Sequence, residues 1–416
     1  MDSGRGLAVM GDRTDAVWIT GVGAATPLGM TYGELAGNLL AGKSGVSRVT
    51  HFDPTDQPCQ VAACLGPISA PDGWDPGDFA RLGAWEQVLI RTAVDALSDS
   101  GWWERRSEVR VGLVLGLGGE WVLTWEGGML RGDDRVSDPT RDRTSLTTFT
   151  RESLEISGPS ATVAAACASG NVALAQARRW VQRGWVDVCL AGACDRSITP
   201  MGMAGFGNLG ALAKRNDAPP AASRPFDRGR DGFVMGEGGA MFVLESASRA
   251  RRRGAKVYAE IAGVGATSDA FHIVIPSTDP APCVRAMRTA LADAGLNPDE
   301  LDYVNAHATS TPVGDAFEAR ALREVLGAAA RTTPVSSTKS MTGHLLSATA
   351  AVEALACLAA FDHQAVPPTI NLDDPDPDCD LCHVPHEARP HKVRTALSNS
   401  FGFGGSNICV VFRRVV

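Results

Sequence analysis

The chain has 416 residues, of which 44% are hydrophobic and 21% are charged, a composition typical of a folded globular protein. Its formal charge of −8 leaves no dominant basic surface, so we expect no nucleic-acid binding. No run approaches the roughly 20 apolar residues of a membrane helix, and the first 15 residues lack the apolar core of a signal peptide. We therefore expect a cytoplasmic protein with no membrane partner.

Alternating strand and helix patterns follow a predicted mobile tail at residues 1–14. Strands are predicted at Ala16–Gly21, Val111–Leu117, Val186–Ala191, Val257–Val264, Tyr303–Asn305 and Val335–Ser337. Helices are predicted at Met30–Leu40, Trp85–Gly101, Pro282–Ala294, Ala316–Leu326 and Thr349–Phe361. This alternation predicts an α/β protein with layered sheets, and leaves open whether it has one body or two halves.

Two glycine motifs are similar to nucleotide-binding loops. In GVGAATPLG (residues 21–29), Pro27 and the lack of a ribose-binding acid argue against a dinucleotide site. In GFGNLG (residues 205–210), no predicted strand precedes the motif and Pro200 stands just upstream. We expect the second motif to be a loop and neither motif to bind a nucleotide.

The segment Gly118–Ser157 contains two features of its own. Trp121, Trp125 and Met129 recur every four residues, which in a helix places them on one face. That face could pack in the core or at a dimer contact, or it could fill a substrate pocket. The charged run Arg131–Arg143 is expected to be a solvated surface loop.

Cys167 stands in a predicted strand-to-helix turn. The β-prone residues 161–163 precede it, and apolar residues from Val172 to Val181 follow at helical spacing. A thiol at the positive end of a helix dipole is expected to have a lowered pKa and to act as a nucleophile. The alternative for a lone cysteine is burial in the core.

Later segments supply polar partners for that thiol. His307 lies in YVNAHATSTPVGD (303–315), and Lys339 and His344 lie in VSSTKSMTGHLLSATAAVE (335–353). Both histidines follow predicted strands, so a Cys-His-His site with Lys339 nearby is expected. The turn NSFGFGGSN (399–407) is rich in glycine, and its backbone N–H groups could bind an oxyanion.

On these segments the chain resembles the β-ketoacyl-[acyl carrier protein] synthases, most closely the type II elongating enzymes. The resemblance extends from about Val17 to Phe412 and includes SRPFDRGRDGFVMGEGGAMFVLE (223–245), SDAFH (268–272) and AVPPTINLDDPDPDCDL (365–381). It implies a thiolase-type five-layered α-β-α-β-α fold of two similar halves, here residues 15–256 and 257–416. It also implies a homodimer, or a heterodimer with a ketosynthase-like partner.

The resemblance further implies decarboxylative condensation of an acyl thioester with malonyl-[acyl carrier protein]. Cys167 would take up the acyl group, and the backbone N–H groups of Cys167 and Phe403, beside Gly402, would bind the oxyanion. His307 and His344 would stabilise the enolate that forms when carbon dioxide leaves.

Further site residues are implied in the same way. Lys339 would pair with Glu353 and hold the two histidines in place. Thr309 and Thr311 would bind the pantetheine arm, and Asp269 would gate acyl access together with Phe403. We expect Trp121 and Trp125 to reshape the acyl pocket.

No metal or cofactor is expected beyond the phosphopantetheine that carries the substrates. The ten cysteines are scattered and are expected to be reduced. Cys379, Cys382 and His383 match the C-x-x-C-H pattern of haem attachment, but the chain shows no export signal. No second ligand pair stands at zinc spacing.

Two cysteines distinguish the alternative functions. A non-condensing scaffold partner, such as a chain-length factor, would lack Cys167. A thiolase would need a second cysteine as base near the C-terminal turn, and Cys409 is expected to be buried in the strand Ile408–Phe412 instead. Among condensing enzymes we expect a pathway-specific polyketide or specialised acyl synthase, with housekeeping fatty-acid elongation as the alternative.

The expected partner is an acyl carrier protein, which is acidic. Relatives present Lys and Arg around the pocket mouth, but here residues 78–83 contain few basic side chains, and Gly210 stands where many relatives carry a base. Arg81, Lys214 and Arg215 remain. We therefore expect a dedicated carrier protein.

Overall fold

The computed structural model of the chain describes residues 15–130, 132, 145–275 and 277–416. The predicted tail at residues 1–14 and nearly all of the predicted loop at 131–143 lie outside the described residues. Within them the strands are β1 (Val17–Ala25), β2 (Ser47–Arg48), β3 (Val61–Ala63), β4 (Val111–Gly116), β5 (Ser160–Val163), β6 (Val188–Asp195), β7 (Met235–Gly236), β8 (Gly238–Ser246), β9 (Ala259–Ser268), β10 (Tyr303–Asn305), β11 (Val335–Ser336), β12 (Ala365–Val366), β13 (Arg389–Pro390), β14 (Thr395–Gly402) and β15 (Ser406–Arg413).

The predicted helices are present close to their expected positions, and the described chain contains further helices that the sequence pattern did not indicate. They are α1 (Tyr32–Leu40), α2 (Pro76–Ala80), α3 (Ala84–Asp99), α4 (Trp121–Leu130), α5 (Leu146–Ser153), α6 (Ser169–Gln182), α7 (Pro200–Asn208), α8 (Ala247–Arg252), α9 (Ala281–Ala294), α10 (Pro312–Leu326), α11 (Lys339–Thr342) and α12 (Thr349–His363).

Two five-stranded units with the same topology make up the large sheet. Its order is β11-β10-β14-β15-β9-β1-β8-β6-β4-β5, and β1 meets β9 over two residue pairs only. In the first unit β4 runs parallel to β5 and β6, and the pairs β6–β8 and β8–β1 are antiparallel. In the second unit β10 runs parallel to β11 and β14, and the pairs β14–β15 and β15–β9 are antiparallel. The expectation of two similar halves is confirmed.

Helices on both faces of each unit complete five layers. α3 and α5 cover the outer face of the first unit, α9 and α10 cover that of the second, and α6 and α12 lie between the two units. The central apolar cluster accordingly combines side chains from α6, α12 and the inner faces of both units. This order, α-β-α-β-α, is the one expected.

The apolar composition of α12 contradicts the expectation that no segment is apolar enough to span a membrane. By length and composition, residues Leu346–His363 pass that test, and 83% of the stretch is buried inside the fold. A helix enclosed between two sheets is apolar on nearly every side, because each side faces core. The composition of this helix therefore follows from its central position.

Residues 205–208 of the second glycine motif lie in α7, so the prediction of a loop at this motif is wrong. α7 begins after Thr199, whose Oγ accepts a hydrogen bond from the Gly202 N–H at 3.0 Å. Pro200 occupies the first helical position, where its missing N–H costs nothing and its fixed φ favours the helix. A strand also precedes the segment, because β6 continues to Asp195, beyond its predicted end.

Exchange of Gly170 for Ala should destabilise the protein. A Cβ at this position in α6 would lie 2.5 Å from the Ala351 backbone nitrogen of α12, so the central helices would have to separate. We expect the free energy of unfolding to fall by about 1–3 kcal/mol. The matched control is Gly33→Ala in α1, where no atom lies within 4 Å and about 0.5–1 kcal/mol of stabilisation is expected. Denaturant unfolding measures both, and equal midpoints for the two variants would contradict the packing argument.

Candidate active site

Cys167 lies in a tight turn of residues Ala166–Ala168, between β5 and α6. Ala166 has a φ of +48°, a left-handed conformation that is uncommon for alanine. The Ser169 hydroxyl holds the turn, since it accepts the Ala165 N–H at 3.0 Å and donates to the Ala166 carbonyl at 2.7 Å. The turn directs the thiol into the interior, where Cys167 is 6% exposed.

The expected lowering of the thiol pKa is wrong for the protein without substrate. Burial raises the pKa of Cys167 to about 11, and the nearby carboxyl of Asp195 adds to the rise. The backbone N–H groups of Phe403 and Cys167 and the charge of Lys339 act in the opposite direction but do not outweigh burial. The sequence shows the helix N-terminus but not the depth at which the turn is buried, so it gives the wrong sign.

His344 directs an N–H at the thiol. Its Nε2 lies 3.1 Å from Cys167 Sγ, and its Nδ1 lies 2.7 Å from Thr349 Oγ1. The Leu346 backbone N–H donates to Nδ1 at 3.2 Å, so Nδ1 is an acceptor and Nε2 carries the proton. Burial, together with the Lys339 charge, holds the pKa of His344 well below its usual range. The ring is therefore a neutral donor at neutral pH.

His307 stands beside His344, with ring centroids 5.6 Å apart and planes nearly perpendicular. Its backbone N–H donates to Glu318 Oε1 at 2.9 Å, and the Ala308 N–H donates to Oε2 at 2.6 Å. Burial and the charge of Lys339 also hold the pKa of His307 well below its usual range. Glu318 thus fixes the backbone just after the end of β10, where His307 lies.

Lys339 and Glu353 form the expected pair. The Lys339 ammonium contacts Glu353 Oε1, and both side chains are almost completely buried. Burial raises the pKa of the Glu353 carboxyl to about 7, while the ammonium opposes that rise. A buried charge needs a partner, because an unpaired one costs several kcal/mol, on the order of 3–5.

The turn after β14 closes over the thiol. A Cβ at Gly402 would lie 2.5 Å from the Ala165 carbonyl oxygen, so only glycine fits this contact. Two backbone bonds connect the turn to the loop after β9: Asp269 N–H to Gly405 O at 2.8 Å, and Gly404 N–H to Ile273 O at 2.9 Å. Asp269 Oδ1 also accepts from Asn407 Nδ2 at 2.6 Å. The two segments expected to act as a gate are therefore physically joined.

Two cavities meet at Cys167 and Phe403. The first, which we call the histidine cavity, has a volume of about 370 Å³ and contains His307, His344 and Asp269 in its wall. Thr309 and Thr311 line it as expected, with their hydroxyl oxygens 3.1 Å apart. The second cavity, the tryptophan cavity, has a volume of about 480 Å³. A substrate that reaches the thiol through one cavity can extend into the other.

Trp121 and Trp125 line the tryptophan cavity from α4, with ring centroids 4.2 Å apart. Met201, Phe206 and Leu209 face them from α7 and the residue after it. The three residues of the predicted pattern all lie in α4, and the two indoles border the space beside the nucleophile. Met129, the third member of the pattern, is exposed and does not line this cavity.

Asp195, Glu318 and Ser347 belong to the site but were not predicted. The Ser347 hydroxyl donates to Asp195 Oδ2 at 2.7 Å in the wall of the tryptophan cavity. Burial raises the pKa of Asp195 to about 7. Glu318 lies in a predicted amphipathic helix, where a carboxylate is expected on the exposed face. Each of these residues contacts partners that are distant in the sequence, so no local pattern identified them.

By distance alone, one group in the described chain could hold a metal ion. The ligand atoms of Cys167, His307 and His344 lie within 4.8 Å of one another, a set that zinc accepts with an open fourth position. The C-x-x-C-H segment forms no such group among the described residues, since His383 Nε2 bonds the Cys379 carbonyl at 2.7 Å. Cys409 is fully buried in β15 and lines neither cavity.

The fold and this site together define a condensing enzyme of the acyltransferase class. Family models described as "Beta-ketoacyl synthase, N-terminal domain" and "Beta-ketoacyl synthase, C-terminal domain" match residues 14–250 and 258–373. The chain is 40% identical to 3-oxoacyl-[acyl-carrier-protein] synthase 2 of Synechocystis sp., over 96% of this chain and 98% of the relative. The enzyme of the same name from Coxiella burnetii is 39% identical over the same shares. The chain belongs to the β-ketoacyl synthase family.

Solved structures agree with this assignment. A β-ketoacyl synthase from Burkholderia phymatum is 33% identical and superposes with a TM-score of 0.86, over 97% of this chain and all of that one. The complex AntDE:AntF, described as a type II PKS acyl-carrier protein with its ketosynthase bound to the hexaketide, is 30% identical with a TM-score of 0.85, over the same shares. The expected fold is confirmed by these neighbours.

Alkylation of Cys167 should be slow at neutral pH. The thiolate is the species that reacts, and a thiol whose pKa is about 11 forms little thiolate at pH 7. We expect the rate of modification by iodoacetamide to rise about tenfold per pH unit from pH 7 to pH 10, as the thiolate fraction does. Mass spectrometry of the peptide that contains Cys167 measures the rate, with Cys167→Ala as the blank. A rate that levels off near pH 7 would contradict the raised pKa.

Proposed function

We propose that the chain condenses an acyl thioester with malonyl-[acyl carrier protein] to give a 3-oxoacyl-[acyl carrier protein], in fatty-acid elongation. The observation that carries the chemistry is the 3.1 Å approach of His344 Nε2 to Cys167 Sγ, beside a second neutral histidine. The pathway is supported by relatives named 3-oxoacyl-[acyl-carrier-protein] synthase 2, which are 38–40% identical over 96% of the chain.

In the first step, Cys167 Sγ attacks the carbonyl of the acyl thioester. The backbone N–H groups of Cys167 and Phe403 favour negative charge at this point, so they stabilise the oxyanion of the tetrahedral intermediate. The bond to pantetheine sulfur breaks, and the proton lost from Cys167 ends on that sulfur. One thioester is exchanged for another, so the step needs no cofactor.

In the second step, the malonyl carboxylate leaves as carbon dioxide and its electron pair forms an enolate. The Nε2–H of His344 donates to the enolate oxygen, and His307 adds a second polar group on the same side. The enolate carbon attacks the acyl carbonyl on Cys167, and the sulfur leaves as a thiolate, which takes up a proton from the solvent. Lys339 lowers the pKa of both histidines, so the buried pair with Glu353 keeps them neutral donors.

The partner that we propose is an acyl carrier protein with a phosphopantetheine arm. The AntDE:AntF structure is described as such a complex, and the threonine pair in the histidine cavity is suited to the amides of the arm. A second copy of this chain, or a ketosynthase-like chain, would cover the exposed side chains of Trp121, Met129 and Leu130 on α4. Light scattering on the purified chain measures that assembly. The cytoplasmic location remains a prediction.

A pathway-specific polyketide or specialised acyl synthase is the second candidate. It is favoured by the indoles of Trp121 and Trp125, which occupy the wall of the cavity beside the nucleophile. Filled volume discriminates between acyl chains by about 1–3 kcal/mol for each methylene that no longer fits. The candidates therefore differ in which acyl group is accepted and share the same chemistry.

Acylation and decarboxylation should be separable by mutation. Cys167→Ala should abolish acyl transfer from an acyl-[acyl carrier protein], because no nucleophile remains. Cys167→Gln should still release carbon dioxide from malonyl-[acyl carrier protein], since an uncharged amide resembles the acylated cysteine. His344→Ala should lower decarboxylation about 100-fold or more, the usual effect of one oxyanion donor. Radiolabelled carbon dioxide release measures the rates. Unchanged condensation in Cys167→Ala, or unchanged release in His344→Ala, would overturn the mechanism.

An acyl panel should decide between the two pathways. Carrier proteins charged with acetyl, hexanoyl, palmitoyl, polyene and aryl groups are compared as primers, in the parent and in Trp121→Ala and Trp125→Ala. Fatty-acid elongation predicts the best kcat/KM with long saturated chains and little change in either variant. A pathway-specific enzyme predicts poor use of long chains, with a gain of about tenfold when an indole is removed.

A further inference from the structure

The turn that follows His344 has a strained backbone. Leu346 begins the short turn Leu346–Ala348 that leads into α12, and its φ is +46°. This left-handed conformation is unfavourable for a residue with a side chain, so it persists only where surrounding contacts hold it. The turn therefore needs a restraint from outside its own residues.

Asp195 supplies that restraint from the other half of the chain. Its Oδ2 accepts the Ser347 hydroxyl at 2.7 Å and the Ser347 backbone N–H at 3.3 Å. Its Oδ1 accepts the Ser197 N–H at 3.0 Å, which orients the carboxyl. Asp195 is 1% exposed and Ser347 is 2% exposed, and hydrogen bonds are stronger in such an interior than in water. The carboxyl thus holds the turn at its middle residue.

The same turn determines which nitrogen of His344 carries the proton. The Leu346 N–H donates to Nδ1 at 3.2 Å, and Thr349 Oγ1, at the start of α12, lies 2.7 Å from the same atom. Because Nδ1 accepts an N–H, the ring proton stays on Nε2, which lies 3.1 Å from Cys167 Sγ. Asp195 is therefore connected to the His344 ring through the backbone of two residues.

We propose that Asp195 is a positioning residue for decarboxylation, which holds the turn at Ser347 so that the Leu346 N–H keeps His344 Nδ1 as an acceptor. This inference rests on the proposed function, because there His344 donates to the enolate oxygen. Acyl transfer to Cys167 depends instead on backbone N–H groups at the thiol. Loss of Asp195 should therefore affect the two half-reactions differently.

A direct effect of charge is the alternative role for Asp195. Its carboxyl adds to the rise in the pKa of the Cys167 thiol, so its charge could act on acyl transfer without the turn. The two roles differ for Asp195→Asn, in which the amide oxygen can still accept from Ser347 but the charge is lost. Positioning predicts that the Asn variant retains most of the decarboxylation rate, whereas the charge predicts that the Asn and Ala variants behave alike.

Separate rates for the two half-reactions test the proposal. Single-turnover transfer of radiolabelled octanoyl from its carrier protein to Cys167 gives the first rate, and carbon dioxide release from malonyl-[acyl carrier protein] by the octanoylated enzyme gives the second. Asp195→Ala and Ser347→Ala should each lower release about tenfold or more, because a small misplacement of a catalytic group is costly. Acyl transfer should stay within threefold. Ser100→Ala also removes a buried serine hydroxyl, bonded to the Leu97 carbonyl at 2.8 Å, and should leave both rates within twofold.

A double variant tests whether the two residues act through one restraint. Asp195→Ala combined with Ser347→Ala should lower carbon dioxide release no further than either single change does, because each change alone frees the turn. Independent effects would multiply instead. Thermal unfolding of all variants shows whether a rate falls only because the protein is less stable.

Nitrogen-15 NMR reads the position of the turn without any reaction. In protein labelled at histidine, the resonances of His344 are identified by their loss in His344→Ala. The Nδ1 resonance should move in Asp195→Ala and in Ser347→Ala, since its N–H donor shifts, and should stay in place in Ser100→Ala. This measurement holds even if the enzyme accepts neither substrate.

Four results would each overturn the inference. They are unchanged carbon dioxide release in Asp195→Ala, equal losses in the Asn and Ala variants, multiplied losses in the double variant, and an unmoved Nδ1 resonance. A fall in acyl transfer as large as the fall in release would also overturn it and would assign Asp195 to general stability. No release by the parent would overturn the proposed function, and the Nδ1 resonance would still decide whether Asp195 positions the ring.

Discussion

The first turns of α6 and α12 touch at the centre of the molecule, and the site is positioned from that contact. Gly170 lies against the backbone of Ala351, so the two helices approach more closely than side chains would permit. Cys167 belongs to the turn before one helix and His344 to the segment before the other. Their 3.1 Å approach therefore depends on how two halves of the chain pack. The buried Lys339–Glu353 pair adds a second constraint, because neither charge can move without losing its partner.

The duplicated topology places a second, unreactive turn opposite the first. Leu346 has a φ of +46°, matching the +48° of Ala166, and Ser347 follows it as Cys167 follows Ala166. Each turn is met by a strand end from the other half: Gly402 at the end of β14 and Phe403 after it meet Cys167, and Asp195 at the end of β6 meets Ser347. One copy carries an N–H pair beside a thiol, and the other a carboxyl beside a hydroxyl. The second copy forms part of the wall of the tryptophan cavity.

Local patterns predicted most of the elements and the cysteine and two histidines that meet at the candidate site, because each depends on nearby sequence. The strand-to-helix turn at Cys167 and the helical face of Trp121 and Trp125 are examples. What failed depends on distant packing. Burial reversed the expected pKa shift of Cys167, and central enclosure made α12 apolar enough to pass as a membrane span. The helix at Pro200 was missed because a proline was taken to disfavour a helix, whereas it occupies the first helical position here. The internal repeat was not visible in the sequence, whereas the shared pairing order of the two halves is plain in the sheet.

The buried turn also decides how Cys167 meets oxidants. Peroxide attacks the thiolate, and further oxidation to sulfinic or sulfonic acid is irreversible. A thiol whose pKa is held near 11 by burial remains protonated in the empty site, so it reacts slowly with peroxide before substrate binds. The groups that favour its anion, two backbone N–H groups and an ammonium, are already in place for the moment when an acyl carbonyl arrives. Burial therefore limits oxidation of the nucleophile between turnovers.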